Sequence, residues 1–352
     1  MSEDTLCKLA KRAADQGNKG YRFVDRHEKA TYIRYDELFE KSMGVAGAFH
    51  KKGIKAGDRI AIVLPTCPEF FYVFFGALFV GGVPVPLYPP VRLGRMDEYH
   101  KNTARMLKVS GARLLCTDGR INKILGRSLA TASPELGCVT VDEIGHEPFK
   151  YKEGNPDGPA LIQFSSGTTV DPKPVLLTHR QIIANVRTIL DCALNFYPED
   201  TDEYSICGVS WLPLYHDMGL IGAAMVALMH PADLTLIPPE LFIARPAIWL
   251  RTISKYRAFL SPAPNFAYSI CTEKIKDNEL KGVDLSCWKI ALNGAEPVSP
   301  SALKKFIERF EAYGFPPHAL TPVYGLSEAA LAVTFSNIDQ RFDSKKFNAD
   351  LL

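Results

Sequence analysis

The sequence predicts an α/β fold: two packed, mostly parallel β-sheets flanked by helices. Three observations carry this expectation. Apolar runs of strand length alternate with segments of helical period, a pattern that belongs to largely parallel sheets covered on both faces. Ten or so such runs are many for one strongly twisted sheet. The chain has 352 residues, 47% of them apolar, enough for one large core or two joined ones.

In order along the chain, residues 60–64 read as a strand. An apolar stretch, residues 70–87, has the length of a membrane span, but Gly81 and Gly82 interrupt it and Pro84 and Pro86 follow. It therefore reads as a buried helix over 67–80, with Thr66 and Glu69 as its capping box, and then a short strand over 83–87. A helix over 99–109 precedes a strand over 113–117. Residues 160–164 and 175–177 read as strands. A helix over 179–194 follows, with Thr178 as N-cap and Gln181 placed for the reciprocal bond; it is the expected seam between the sheets. Further strands are expected at 206–212, 234–237, 258–261, 290–293 and 320–324. Pro300 opens a helix behind the N-cap Ser299. The expected division is a first subdomain over 1–185 and a second over 186–352.

Charge and cysteine usage narrow the function. The chain carries 41 basic and 39 acidic residues, a net charge of +2, which argues against a nucleic-acid coat or a polybasic membrane anchor. Eight scattered cysteines form no C-x-x-C pair and read as buried thiols of a cytoplasmic protein, not as a zinc cluster or disulfide scaffold. The first residues are polar and amphipathic, without the apolar region of a signal peptide. The expectation is no nucleic-acid partner and no membrane span.

Four segments carry candidate chemistry. FSSGTTVDPKPV (164–175) places Ser165, Ser166, Gly167, Thr168 and Thr169 directly after a buried strand. Such a loop aims backbone N–H groups and hydroxyls at an anion, and Lys173 adds a point charge suited to phosphate. Pro172 and Pro174 bracket that lysine, so the helix of a Walker A loop cannot start there. The same composition also describes an ordinary serine-rich turn. WLPLYHDMGLIG (211–222) clusters Tyr215, His216 and Asp217 at a strand-to-helix junction, where open α/β sheets bind ligands; a lone histidine is more often structural. LNGAEPV (292–298) and VYGLSEAAL (323–331) each put a glycine at a strand end, where backbone approaches a ligand closely, and then an acid, Glu296 or Glu328. Tyr324 offers a ring face to a purine, and Glu328 an oxygen ligand to magnesium. Either segment alone also fits a plain βα turn; four at successive strand ends do not fit packing alone.

Together these motifs resemble the adenylate-forming, acyl-activating superfamily over residues 31–334. PLYPP (86–90), WLPLYHDMGLIG, APNFAY (263–268), NGAEPV (293–298) and YGLSEAALAVTF (324–335) are most similar to the fatty acyl-AMP ligases. The resemblance implies ATP and Mg2+ as cofactors, a fatty acid as substrate and an acyl carrier protein or polyketide synthase carrier domain as acceptor. Ser165 to Lys173 would be the phosphate loop. Thr168 and Glu328 would place the metal, and Lys173, His216 and Glu328 would be the catalytic set. Asn293, Gly294, Ala295, Glu296, Tyr324, Gly325 and Ser327 would form the nucleotide site; Met218, Asn265 and Phe266 would line the acyl path. Two departures stand out. Val170 and Pro174 replace two glycines of the superfamily's S-G-T-T-G-x-P-K-G. The family's third subdomain, with its ribose-binding T-G-D, and its C-terminal domain, with a catalytic lysine, find no match, so the chain is expected to be an N-terminal body that binds well and turns over poorly. A long-chain acyl-CoA synthetase and a non-catalytic acyl-adenylate or nucleotide-binding protein are the alternatives.

Overall fold

The computed structural model describes residues 4–90, 95–165, 172–194, 207–338 and 340–347. Strands β1 (Gly20–Val24) and β2 (Ala30–Arg34) come first. β3 (Arg59–Val63), β4 (Val83–Pro86), β5 (Ala112–Thr117) and β6 (Cys138–Thr140) follow, then β7 (Pro159–Ser165) and β8 (Lys173–Thr178). The later strands are β9 (Cys207–Ser210), β10 (Asp233–Leu236), β11 (Leu260–Ala263), β12 (Ile290–Asn293), β13 (Leu320–Gly325) and β14 (Ala332–Phe335).

They form three sheets. One is four-stranded, β4-β3-β5-β6, and wholly parallel. The second is eight-stranded, β14-β13-β12-β11-β9-β10-β1-β2, parallel through its centre and antiparallel only at its two edges. Its β1 and β2 come from the start of the chain and lie beside β10, so segments on both sides of residue 185 build it. β7 and β8 make a separate antiparallel hairpin.

The α/β expectation of two mostly parallel sheets holds, with this hairpin added. Along β3, Ile60 and Ile62 enter one apolar cluster while Ala61 and Val63 enter another. That alternation is a strand buried on both faces. Helix Pro68–Phe79 is apolar all round and buried, as a helix inside a core must be; residues 70–87 thus form a core helix and β4. No helix among the described residues is long and apolar enough to cross a membrane.

The seam is shared among several helices. Ile182, Ile183 and Val186 of helix His179–Leu194 join a cluster with Tyr21, Phe23, Leu234 and Leu236 of the large sheet. The same cluster takes Ile60, Ile62, Leu114 and Cys116 of the smaller sheet, and the phenylalanines of Pro68–Phe79.

Local signals met different outcomes. The capping box at Thr178 forms: its N–H donates to Gln181 Oε1 at 2.8 Å and its Oγ1 accepts the Gln181 N–H at 3.2 Å. Ser299 accepts the Ala302 N–H as expected. The box at Thr66 does not form. Pro68 takes the first helical position, so Cys67 becomes the N-cap, with no side-chain cap bond, and Thr66 lies one residue too early. The strand expected at 258–261 sits two residues later, at β11.

Candidate functional site

A cleft of about 240 Å³ opens at the carboxyl ends of β11, β12 and β13, where a parallel sheet binds its ligands. Pro262, Leu292 and Val323 form its sheet wall. Ile189 of helix His179–Leu194 and Gly222 face it, with His216, Asp217 and Met218 to one side. Ala295, Tyr324, Gly325, Ser327 and Glu328 come from the two glycine-bearing turns. Tyr324 is 62% exposed, so its ring is open to a planar partner.

Asp217 organises one wall. His216 Nδ1 lies 2.8 Å from Asp217 Oδ1. That oxygen also accepts the Met218 N–H at 2.7 Å, and Oδ2 accepts the Ser327 hydroxyl at 2.6 Å. The Met218 N–H also lies 3.3 Å from His216 Nδ1, but its shorter bond is to Asp217; a carboxylate only accepts, so the 2.8 Å contact assigns the proton to Nδ1 and leaves Nε2 for another partner. Burial presses the His216 pKa down, but the hydrogen bond and charge of Asp217 outweigh it and the net shift is upward. Burial likewise presses Asp217 up, and its bonds to His216, Ser327 and Met218 bring it below the ordinary carboxylate value.

The turn that carries Ser327 and Glu328 is closely determined. The Leu326 N–H donates to Leu331 O at 2.8 Å, and Ala330 takes φ 68. A Cβ on Gly325 would meet Leu331 O at 1.9 Å, so no other residue fits there without moving the backbone. Glu328 reaches the cleft from this turn and is exposed.

The NGAEPV segment is divided between the cleft and its surroundings. Ala295, at φ 67, lines the cleft. Gly294 packs on Val323. The Asn293 amide is fully buried and has no partner for either Oδ1 or Nδ2. Glu296 turns away and accepts the Phe266 N–H, satisfying an amide at the start of helix Asn265–Lys274 that its N-cap Pro264 leaves open. Asn265 Oδ1 in turn accepts the Ser299 N–H at 2.9 Å. Phe266 stands edge-on to Trp211, with ring centroids 5.7 Å apart. Glu296, Asn265 and Phe266 do not line the cleft. Lys173 opens β8, exposed and paired with Ser165. Pro174 continues that strand opposite Phe164, a position proline tolerates in a two-stranded edge. Ser166, Gly167, Thr168 and Thr169 lie outside the described residues, as does the side chain of Ser165.

Sequence reasoning missed Asp217 as a bridge, although it stood beside His216. It also missed the apolar walls, Ile189, Gly222 and Leu331, whose roles depend on packing between distant elements.

A family model described as AMP-binding enzyme matches residues 9–348. A medium-chain-fatty-acid acyl-carrier-protein ligase of Moorena producens is 32% identical over 323 residues, 90% of this chain and 53% of the relative. A long-chain-fatty-acid AMP ligase of Mycobacterium marinum is 32% identical over 347 residues, 94% of this chain and 53% of the relative. Among solved structures, one from work on the fatty acyl-adenylate ligases of E. coli and L. pneumophila superposes with a TM-score of 0.87 at 31% identity, covering 95% of this chain and 59% of that one. The L. pneumophila ligase in complex with acyl adenylate and pyrophosphate gives a TM-score of 0.82 at 28% identity, covering 95% and 57%. The chain thus spans about half the length of the curated relatives it matches.

Proposed function

The chain belongs to the AMP-binding enzyme family, and from that premise we propose that it is the body of a ligase that activates a fatty acid with ATP. The products are acyl-AMP and pyrophosphate, and the acyl group then passes to a carrier protein or a polyketide synthase carrier domain. The observation that carries this reading is the convergence of three motifs in one cleft: His216 and Met218, Ala295, and Tyr324 with Ser327 and Glu328. The relatives named for fatty-acid and acyl-carrier-protein substrates support the choice of substrate and acceptor. Eight free cysteines suit a reducing compartment, and a cytoplasmic location is part of the same proposal.

The chemistry joins two anions, so the site must neutralise charge and hold geometry more than it must move protons. Tyr324 stacks on the base. Ala295 and Gly294 bring backbone close to it. His216, oriented through Nδ1 by Asp217, presents Nε2 to the acyl carboxylate. Met218 and the apolar wall of Ile189 and Leu331 take the start of the chain. Lys173 and the 165–169 loop, framed by β7 and β8, meet the phosphates.

The residues present fit magnesium. Glu328 offers one exposed carboxylate to the cleft. Magnesium is commonly held this way, by one or two carboxylates with substrate phosphates and water. Thr168 would be its second protein contact. When bound, the ion supplies charge neutralisation to the phosphates.

The test is calorimetric titration with non-hydrolysable acyl-sulfamoyl adenosines of several chain lengths. Affinity that rises with chain length supports the reading. No binding at any length, by a folded chain, overturns it.

A further inference from the structure

Asn185 lies outside the cleft and outside every motif named above, yet it makes a two-bond fork to the turn that carries Glu328. Its Nδ2 donates to Ala332 O at 2.8 Å and its Oδ1 accepts the Ala332 N–H at 3.0 Å. Ala332 begins β14, the edge strand of the large sheet. The side chain therefore satisfies both backbone groups of one edge residue, as a neighbouring strand would.

What hangs from that point matters. Residues 326–331 are suspended between β13 and Ala332. One end is tied to Asp217 through Ser327, and the other to Asn185 through Ala332. Asn185 itself sits on helix His179–Leu194, which continues β8 without a break. β8 begins at Lys173 and packs beside Ser327–Ala329. One continuous piece, hairpin strand plus helix, thus carries both Lys173 and the side chain that fixes the far end of the Glu328 turn.

We propose that Asn185 is a positioning residue: it sets the Glu328 carboxylate relative to the phosphate-facing hairpin. The inference rests on the ligase reading above. It concerns the triphosphate with its metal, not the acyl-adenosine part of the site.

Two ligands separate the two claims. An acyl-sulfamoyl adenosine has no pyrophosphate and does not call on Glu328 and magnesium; MgATP does. For Asn185→Ala, calorimetry should show MgATP affinity down about tenfold, the scale of one or two lost hydrogen bonds, with analogue affinity within about threefold of the parent. In a Glu328→Gln background the same substitution should cost little further MgATP affinity, because it acts through Glu328. Asn185→Asp keeps the volume and the acceptor for the Ala332 N–H but sets an oxygen against Ala332 O. It carries the same test if the alanine variant does not fold, with the same selective loss expected. Unchanged MgATP affinity, an equal loss for both ligands, or full additivity with Glu328→Gln overturns the inference while the ligase reading stands. A parent chain that binds neither ligand overturns both.

Discussion

Ser327 donates its hydroxyl to Asp217 Oδ2 at 2.6 Å, joining segments 110 residues apart in sequence. The same carboxylate holds His216 through its other oxygen. The orientation of the histidine and the position of the glutamate-bearing turn are therefore two readings of one buried group, and a change at Asp217 should be felt in both.

For Asp217→Asn, the His216 titration midpoint should fall below its ordinary value near 6.5, because burial then acts unopposed. The sign follows from linkage. The raised pKa of His216 contributes stability that is full below the unfolded value and is lost as pH rises through the folded one. The lowered pKa of Asp217 contributes stability present above 3.8 and lost as pH falls through the depressed value. Ser327→Ala should cost about 1–3 kcal/mol, since it leaves a largely buried carboxylate oxygen one donor short. Imidazole NMR over pH 4 to 9 (roughly the range that brackets the histidine in parent and variant) checks the first point. A midpoint that does not move on Asp217→Asn would show that the pair is not coupled.

His179 gives a second pH dependence, of opposite sign to that of His216. It is buried, its Nδ1 accepts the Leu6 N–H at 3.1 Å, and burial lowers its pKa from 6.5 to about 4. Between those values the unfolded chain binds more protons, so stability falls as pH drops through that window, by about 3 kcal/mol from this residue. His179→Asn keeps an acceptor for Leu6 but cannot titrate there. Urea unfolding across the window should show a shallower pH slope for the variant, by about one proton. Equal slopes would mean that His179 is protonated in the folded chain.

How far the sequence could be read follows from the range of each signal. The box at Thr178 and Gln181 and the cap at Ser299 are complete within four residues, so the residue types specify them. The Thr66 box has the right types and fails because Pro68 shifts the cap by one. His216, Ala295, Tyr324 and Glu328 were legible because each stands at a strand end in a patterned run. Asp217, Asn185 and Leu331 were not, because their meaning lies in partners more than a hundred residues away or in packing. Glu296 shows the limit from the other side: it lies in a legible motif, yet its carboxylate serves a neighbouring helix.

Gly325 should be the least replaceable residue of the turn. Its missing side chain is filled by the carbonyl of Leu331, at 1.9 Å from where a Cβ would stand. Gly325→Ala must open the Leu326–Leu331 turn, at a cost of about 1–3 kcal/mol or more, and draw Glu328 out of place. Calorimetry on the variant should show MgATP binding lost first and analogue binding weakened. Parent-like melting and binding would mean that the turn has slack the close packing does not suggest.

Glu296 is expected to act on the cleft indirectly. Its bond to the Phe266 N–H and the bond from Ser299 N–H to Asn265 fasten the 296–299 part of the loop to helix Asn265–Lys274, and Ala295, the residue just before the first of these anchors, takes φ 67. A left-handed alanine costs about 1–2 kcal/mol, so something must hold it there. Glu296→Ala removes an acceptor at a helix start and should lower stability by about 1 kcal/mol. Glu296→Gln keeps a neutral acceptor and should lose less. If the loop is what shapes the base-facing wall, Glu296→Ala should weaken the acyl-sulfamoyl adenosine, and adding Ala295→Gly should not restore binding, since glycine frees the conformation that the bond had fixed. Should Glu296 instead contact the nucleotide directly, Glu296→Gln would lose as much affinity as Glu296→Ala with no change in melting, and the indirect role would be wrong.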